Sequence, residues 1–377
     1  MPVLTDFRSV EAVKPIPQML SLEVSCWAFA NAYCARERIV DPEAIREVRR
    51  EVRARFSRYA VSPKLIRRRQ LVFFPRLGDV RWTDAGLALS EPEEAHLRLL
   101  PDWQEPRGVD LKSRHASYGR VVEGVLRQLY EASEAGPDDW IHVTCSGYLA
   151  PSPVERLAAK NGWFETTVTH CYHKGCYGAF PAVKMGHGFL ASSRGGFGPV
   201  SARVEIVHTE LLSLHRDVED WSPQNIITLT LFGDGFIRYT LLSDEEAARR
   251  SVRGLKLLGY REHLLPDSAE EMSWIPGSHH FDMTLTTNVP TVIRESVRPF
   301  ATELLRSCGM DWERDGERLL FALHPGGPRI VDSVQEEMGL HADQVAFSRR
   351  IFRENGNMSS ATVPHIWKEI LAEPAVP

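Results

Sequence analysis

Residues 140–190 read WIHVTCSGYLAPSPVERLAAKNGWFETTVTHCYHKGCYGAFPAVKMGHGFL. Trp140 to Cys145 is apolar and β-branched enough for a buried strand. Pro153 to Asn161 reads as a short helix and Thr166 to His170 as a second strand. Tyr177 to Leu190 then reads as a helix, with Pro181 tolerated in its first turn, where no backbone N–H is needed. Working outward, Arg120 to Ala132 is a helix stopped by Gly136-Pro137, and Arg194 to Pro199 is a glycine-rich loop. Ala202 to Thr209, Ile226 to Phe232 and Phe236 to Leu242 are strand candidates, the last two joined by a Gly233-Asp234-Gly235 turn.

The flanks keep the same alternation. Asp41-Pro42 starts a helix, followed by Ile45, Val48, Val52 and Phe56 at helical spacing. Ser243 and Glu246 open another with a capping box. Beyond Arg253 the pattern predicts strands near Leu255 to Leu264, Asp282 to Thr287 and Arg318 to Leu323. It predicts helices over Val292–Cys308, Pro328–Glu337, Ala342–Arg353 and Met358–Leu371. Strands alternating with helices in both halves imply an α/β fold with mostly parallel sheets.

A chain of 377 residues can bury a large core, and length favours two domains. A net charge of −5 gives no general attraction to nucleic acid or anionic lipid, so a polyanionic ligand must meet a local basic cluster. Lys64, Arg67, Arg68 and Arg69 form the densest one. Six scattered cysteines suit a reducing compartment. Residues 1–8 do not read as a signal peptide, and no stretch is long and apolar enough to span a bilayer, so a cytoplasmic protein is expected.

Three glycine-flanked segments carry candidate chemistry: Gly175-Cys176-Tyr177-Gly178, His324-Pro325-Gly326-Gly327-Pro328 and Gly356-Asn357-Met358-Ser359-Ser360. Each lies where a strand or loop enters a helix. A cysteine there meets unpaired N–H groups and the positive end of the helix dipole, which favour thiolate. Histidine and asparagine N–H groups can together hold an oxyanion or enolate. Cys176 on its own reads as a buried structural cysteine; with His324 and Asn357 it reads as a nucleophile. His170, Cys171, His173 and Cys176 are spaced too tightly for a usual zinc finger, and no matching ligand pair follows, so no metal is expected.

These three motifs, in this order, resemble the catalytic triad of chalcone-synthase-like type III polyketide synthases, with a closer likeness to the bacterial branch. Leu231-Phe232-Gly233-Asp234-Gly235 and Val204 to Glu210 resemble further family segments, and the likeness runs from about Phe56 to Leu371. The resemblance implies a thiolase-like five-layer αβαβα fold of two similar halves. Residues 1–245 would hold the nucleophile, and residues 246–377 the histidine and asparagine. It implies that Cys176 takes an acyl group, that His324 keeps it ionised, and that both His324 and Asn357 hold the enolate of a decarboxylated malonyl thioester. Phe232 would be a gate, and Cys145, His215, Trp274 and Met283 would line the cavity, with Trp274 narrowing it.

Lys64, Arg67, Arg68 and Arg69 would meet coenzyme A. No cofactor is implied, only coenzyme A thioesters as substrates: malonyl-CoA with an acyl-CoA or an acyl carrier protein as donor. A homodimer is implied, with no nucleic acid or membrane partner. One departure stands out: family members continue into a last strand with a Gly-Phe-Gly-Pro-Gly loop, whereas this sequence stops at Pro377. Iterative condensation with cyclisation to a pyrone or resorcinol therefore stands beside two alternatives. These are a single condensation like that of ketoacyl-ACP synthase III and an inactive thiolase-fold binding protein.

Overall fold

A computed structural model describes residues 1–75, 80–83, 86–89, 108–131, 134–194 and 201–374. The glycine-rich loop expected over residues 194–199 lies almost wholly outside them.

The core is a six-stranded mixed sheet of β1 (Val3–Ser9), β2 (Asp139–Thr144), β3 (Thr167–Tyr172), β4 (Arg203–Glu210), β5 (Gly235–Leu242) and β6 (Leu255–Lys256). The spatial order is β6-β1-β5-β4-β2-β3. β2 runs parallel to both β3 and β4, while β5, β1 and β6 join antiparallel. β5 is buried along its whole length, as expected of a strand covered on both faces.

Helices cover the two faces. α1 (Gln18–Arg36) and α2 (Pro42–Tyr59) pack together, with Asp41 accepting from the Ala44 N–H at 2.8 Å and Pro42 at the first helical position. α3 (Leu111–Leu129) and α4 (Pro153–Lys160) flank one face; α4 opens with a complete capping box of Ser152 and Glu155. α5 (Ala179–Arg194) packs on β4 and β2 from the other face.

Two expected strands are not strands. Ile226–Phe232 belongs to α6 (Pro223–Leu231). Its β-branched run mimics a strand, but Ser222 caps the Asn225 N–H and Pro223 fixes the first turn, so the helix forms. Residues 318–323 follow a 3₁₀ turn at Gly316–Arg318 and stay outside any ladder. They bond sideways to the segment ahead of a helix: the Phe321 N–H donates to the Gln344 carbonyl at 2.8 Å and the Leu323 N–H to Ser348 Oγ at 2.9 Å. The expected strand at 255–264 shortens to β6. α1 was not expected from the sequence; it is weakly amphipathic, because both of its faces are largely covered.

The C-terminal part is mainly helical. A hairpin of β7 (Met272–Pro276) and β8 (Phe281–Leu285) precedes α7 (Val289–Ser307), α8 (Pro328–Met338), α9 (Ala346–Asn355) and α10 (Thr362–Ala372). Among the described residues it has no multi-stranded sheet to match the first half. Among the described residues no helix is long and apolar enough to cross a membrane.

Candidate active site

Cys176 sits on a 3₁₀ turn, Gly175–Tyr177, between β3 and α5. A Cβ on Gly178 would stand 3.0 Å from Val143 and 3.1 Å from Ser360, so glycine lets this turn press against the sheet and against the 357–360 segment. Asn357 reaches the same point from the far end of the chain. Gly356 has φ +68, and a Cβ there would meet the Leu231 carbonyl oxygen at 2.6 Å. That close approach allows the Asn357 N–H to donate to the Leu231 carbonyl at 3.0 Å and the Gly233 N–H to donate to the Asn357 carbonyl at 2.9 Å. The Leu231–Asp234 turn and the asparagine motif are thus stitched together.

The Asn357 side chain is fully buried, and its orientation follows from its bonds. Oδ1 accepts the Ser359 N–H at 2.8 Å. That leaves Nδ2 to donate to Cys176 Sγ at 3.9 Å and toward the Gly326 carbonyl at 3.4 Å. His324 lies beside Gly326, and neither of its buried ring nitrogens has a hydrogen-bond partner among the described residues. Burial with no nearby carboxylate lowers the His324 pKa to about 4, so the ring is neutral at pH 7. Burial pushes the Cys176 thiol up to about 11 against the hydrogen bonds from Ser359 and Asn357. Burial thus opposes the thiolate–imidazolium pair that the resemblance implies, raising the cysteine and lowering the histidine. Alkylation of Cys176 by iodoacetamide should accordingly rise about tenfold per pH unit from pH 7 to 9, as the thiolate fraction grows. A pH-independent rate over that range would show a preformed thiolate.

Behind the thiol is a buried acid that sequence reasoning missed. The Glu210 carboxylate accepts from the Cys145 N–H at 3.1 Å, Cys145 Sγ at 3.3 Å, Ser146 Oγ at 3.0 Å and the Ser360 hydroxyl. Burial raises its pKa despite these donors. Cys145 Sγ also lies 3.0 Å from Ser359 Oγ. The available signal was a glutamate ending an otherwise apolar strand, immediately before Leu211-Leu212.

Cys176, Phe232, Trp274 and Met283 pack in one apolar cluster with Leu212 and Phe352. Trp274 and Met283 face each other across the β7–β8 hairpin. The Trp274 indole N–H donates to the Cys145 carbonyl at 2.7 Å. His215 donates from Nε2 to the Ser146 carbonyl at 2.7 Å, accepts the Phe281 N–H at Nδ1, and meets Trp274 edge-on at 5.3 Å. These bonds fix it as a neutral donor–acceptor, in line with a pKa that burial lowers to about 3. Phe232, Trp274 and Met283 thus pack with Cys176 in one cluster, and Cys145 and His215 adjoin it through Trp274.

The basic cluster divides. Lys64 lines a cleft of about 180 Å³ together with Gly327, Pro328, Arg349 and Arg353. Arg67 and Arg68 are exposed and share Glu354, at 2.6 and 3.0 Å. Arg69 is a correction: at 1% exposure it points inward and cannot meet an external ligand. Arg349 and Arg353, one helical turn apart on α9, are additional basic residues at this mouth that the sequence reading did not single out.

The family model for the C-terminal domain of chalcone and stilbene synthases matches residues 258–374. This C-terminal stretch is therefore similar to the chalcone and stilbene synthases. A putative chalcone synthase of Bacillus subtilis is 28% identical over 173 residues, 45% of this chain and 46% of that protein. The match therefore spans about half the length of that curated relative. The 1,3,6,8-tetrahydroxynaphthalene synthase of Streptomyces coelicolor superimposes with a TM-score of 0.70 at 21% identity, covering 100% of this chain and 92% of that one. The C-terminal type III polyketide synthase domain of the Dictyostelium hybrid Steely1 gives a TM-score of 0.73 at 17% identity, covering 100% and 93%. At these identities the likeness is one of fold, and it extends over the length of this chain.

Proposed function

We propose that this protein is a decarboxylating condensing acyltransferase that joins an acyl thioester to malonyl-CoA. The observation that carries the reading is Asn357 Nδ2 directed at Cys176 Sγ, beside a neutral histidine whose ring nitrogens are free. Neutral His324 can take the Cys176 proton as sulfur attacks the thioester carbonyl. A new carbon–sulfur bond forms, the bond to coenzyme A breaks, and the departing thiolate recovers the proton. His324 and Asn357 N–H groups then face the thioester oxygen of malonyl-CoA. As carbon dioxide leaves, its bonding electrons pass into an enolate held by these donors. The enolate carbon attacks the acyl group, and Cys176 departs as the sulfur leaving group.

Lys64 and Arg353 in this cleft suit a phosphate-bearing donor such as coenzyme A, while Arg349 there is paired with Asp332 at 2.7 Å. The rest of the reading follows the resemblance: a cytoplasmic homodimer, with the nucleophile in residues 1–245 and the histidine and asparagine in residues 246–377. Incubation with an acyl-CoA and malonyl-CoA, followed by mass analysis of products, tests it. Triketide or longer pyrones or resorcinols are expected. A diketide alone would favour single condensation, and no condensed product from any starter would overturn the reading.

Trp274 limits the cavity beside Cys176. Trp274→Ala should shift the preferred starter to longer chains by several carbons, read as acyl-CoA competition; an unchanged length profile would show that the limit lies elsewhere.

A further inference from the structure

Phe232, Leu212 and Trp274, together with Ser213, Arg216 and Thr228, line a small cavity of about 20 Å³. The three apolar residues belong to the cluster that also packs against Cys176, so they stand between this cavity and the nucleophile's surroundings. Its volume suits about one or two water-sized groups.

The polar lining is unusual for the end of an acyl channel. Arg216 is 7% exposed, with Nη2 donating to Ser25 Oγ at 2.8 Å and its guanidinium 4.6 Å from the Phe74 ring centroid. Its Nε has no hydrogen-bond partner among the described residues, and neither has Thr228 Oγ1. Both atoms are buried. No described carboxylate forms a salt bridge with Arg216. Asp234 is the nearest counter-charge, but its carboxylate is occupied by the Val72 N–H and by the backbone and hydroxyl of Ser213. Asp234 also balances the buried Arg69, and Arg114 adds positive charge. A buried guanidinium with an open donor and a surplus of positive charge around it is costly unless an acceptor arrives.

We infer that Arg216 and Thr228 form an oxygen-recognising end of the acyl cavity, selecting a starter whose far end carries a carboxylate. The inference rests on the condensing reading above. A purely apolar channel end would do the opposite, since stripping water from a carboxylate without a partner is unfavourable.

The test is the initial rate of Cys176 acylation, read by intact-protein mass spectrometry. Dicarboxylic acyl-CoAs from succinyl to suberyl are compared with straight-chain acyl-CoAs of the same length. At the length that reaches the cavity, the dicarboxylic donor should load about 10-fold faster in the wild type. Arg216→Met and Thr228→Val should each move that ratio toward the straight-chain donor. Should Arg216→Met lose its folded signature, because it also anchors Ser25 and Phe74, Thr228→Val and the wild-type ratio decide. Equal or faster loading of straight-chain donors at every length, or a ratio unmoved by the folded variants, overturns the inference and leaves the condensing reading intact. No loading from any donor overturns that reading and this inference with it.

Discussion

Cys176→Ala should take up no acyl mass from any acyl-CoA and should lose condensation by on the order of 10⁴-fold or more, because no other group can carry the intermediate. Cys145, the other thiol near the cavity, is fully enclosed and hydrogen-bonded to Glu210, and burial beside that carboxyl holds its pKa well above the usual thiol range. It is no substitute nucleophile. The change removes one sulfur atom from a half-buried position, so folding should be little affected. Decarboxylation separates the roles further. In the proposed mechanism His324 and Asn357 hold the enolate, so Cys176→Ala should still release carbon dioxide from malonyl-CoA. Asn357→Leu should do the reverse, loading acyl groups while losing decarboxylation. Acyl mass on Cys176→Ala, or full decarboxylation by Asn357→Leu, would sink this division of labour.

The cysteine and asparagine motifs were legible because each couples a reactive side chain to a glycine that the packing demands, Gly178 and Gly356. A Cβ on Gly233 would stand 2.5 Å from the Asn355 carbonyl oxygen, and one on Gly235 would stand 2.7 Å from Met358. The glycines therefore report where the Phe232 turn and the asparagine segment must touch. Strands β2, β4 and β5 were legible for a related reason, since burial on both faces favours apolar and β-branched residues, whereas the half-exposed edge strand β3 was read from its β-branched residues alone. The helix over Pro223–Leu231 was misread because its β-branched run favours a strand, while the Ser222 cap and Pro223 decide otherwise. Glu210 was passed over because its role depends on donors from Cys145, Ser146 and Ser360, which meet only in the folded chain. The pull of burial on the site's ionisation was hidden for the same reason: a helix start favours thiolate, desolvation opposes it, and composition does not report burial. Arg69 looked like its exposed neighbours because nothing in a run of arginines says which one turns inward.

That inward turn leads to the largest stability effect expected outside the core aromatics. The Arg69 guanidinium donates from Nε to Gln18 Oε1 at 2.8 Å, from Nη1 to the Leu229 carbonyl at 2.9 Å and to the Phe232 carbonyl, and from Nη2 to Ser21 Oγ at 3.0 Å. It ties α1 to the last turn of α6, whose terminal carbonyls have no helical partner of their own. Burial and the nearby Arg216 lower its pKa to about 9, with Asp234 acting in the opposite sense, so it remains charged at pH 7. Arg69→Met keeps much of the volume but leaves these acceptors buried and unpaired, which should cost about 3–5 kcal/mol in chemical denaturation. Arg69→Lys should not restore it, since one ammonium cannot span acceptors on both helices. Arg67→Met is the control, because its exposed pair with Glu354 should contribute no more than about 1 kcal/mol. Activity should also fall in any Arg69→Met protein that remains folded, because the Phe232 carbonyl it holds lies in the turn that carries Asn357. Equal stability of the Arg69→Met and Arg67→Met proteins would show that the buried guanidinium does not hold this junction together.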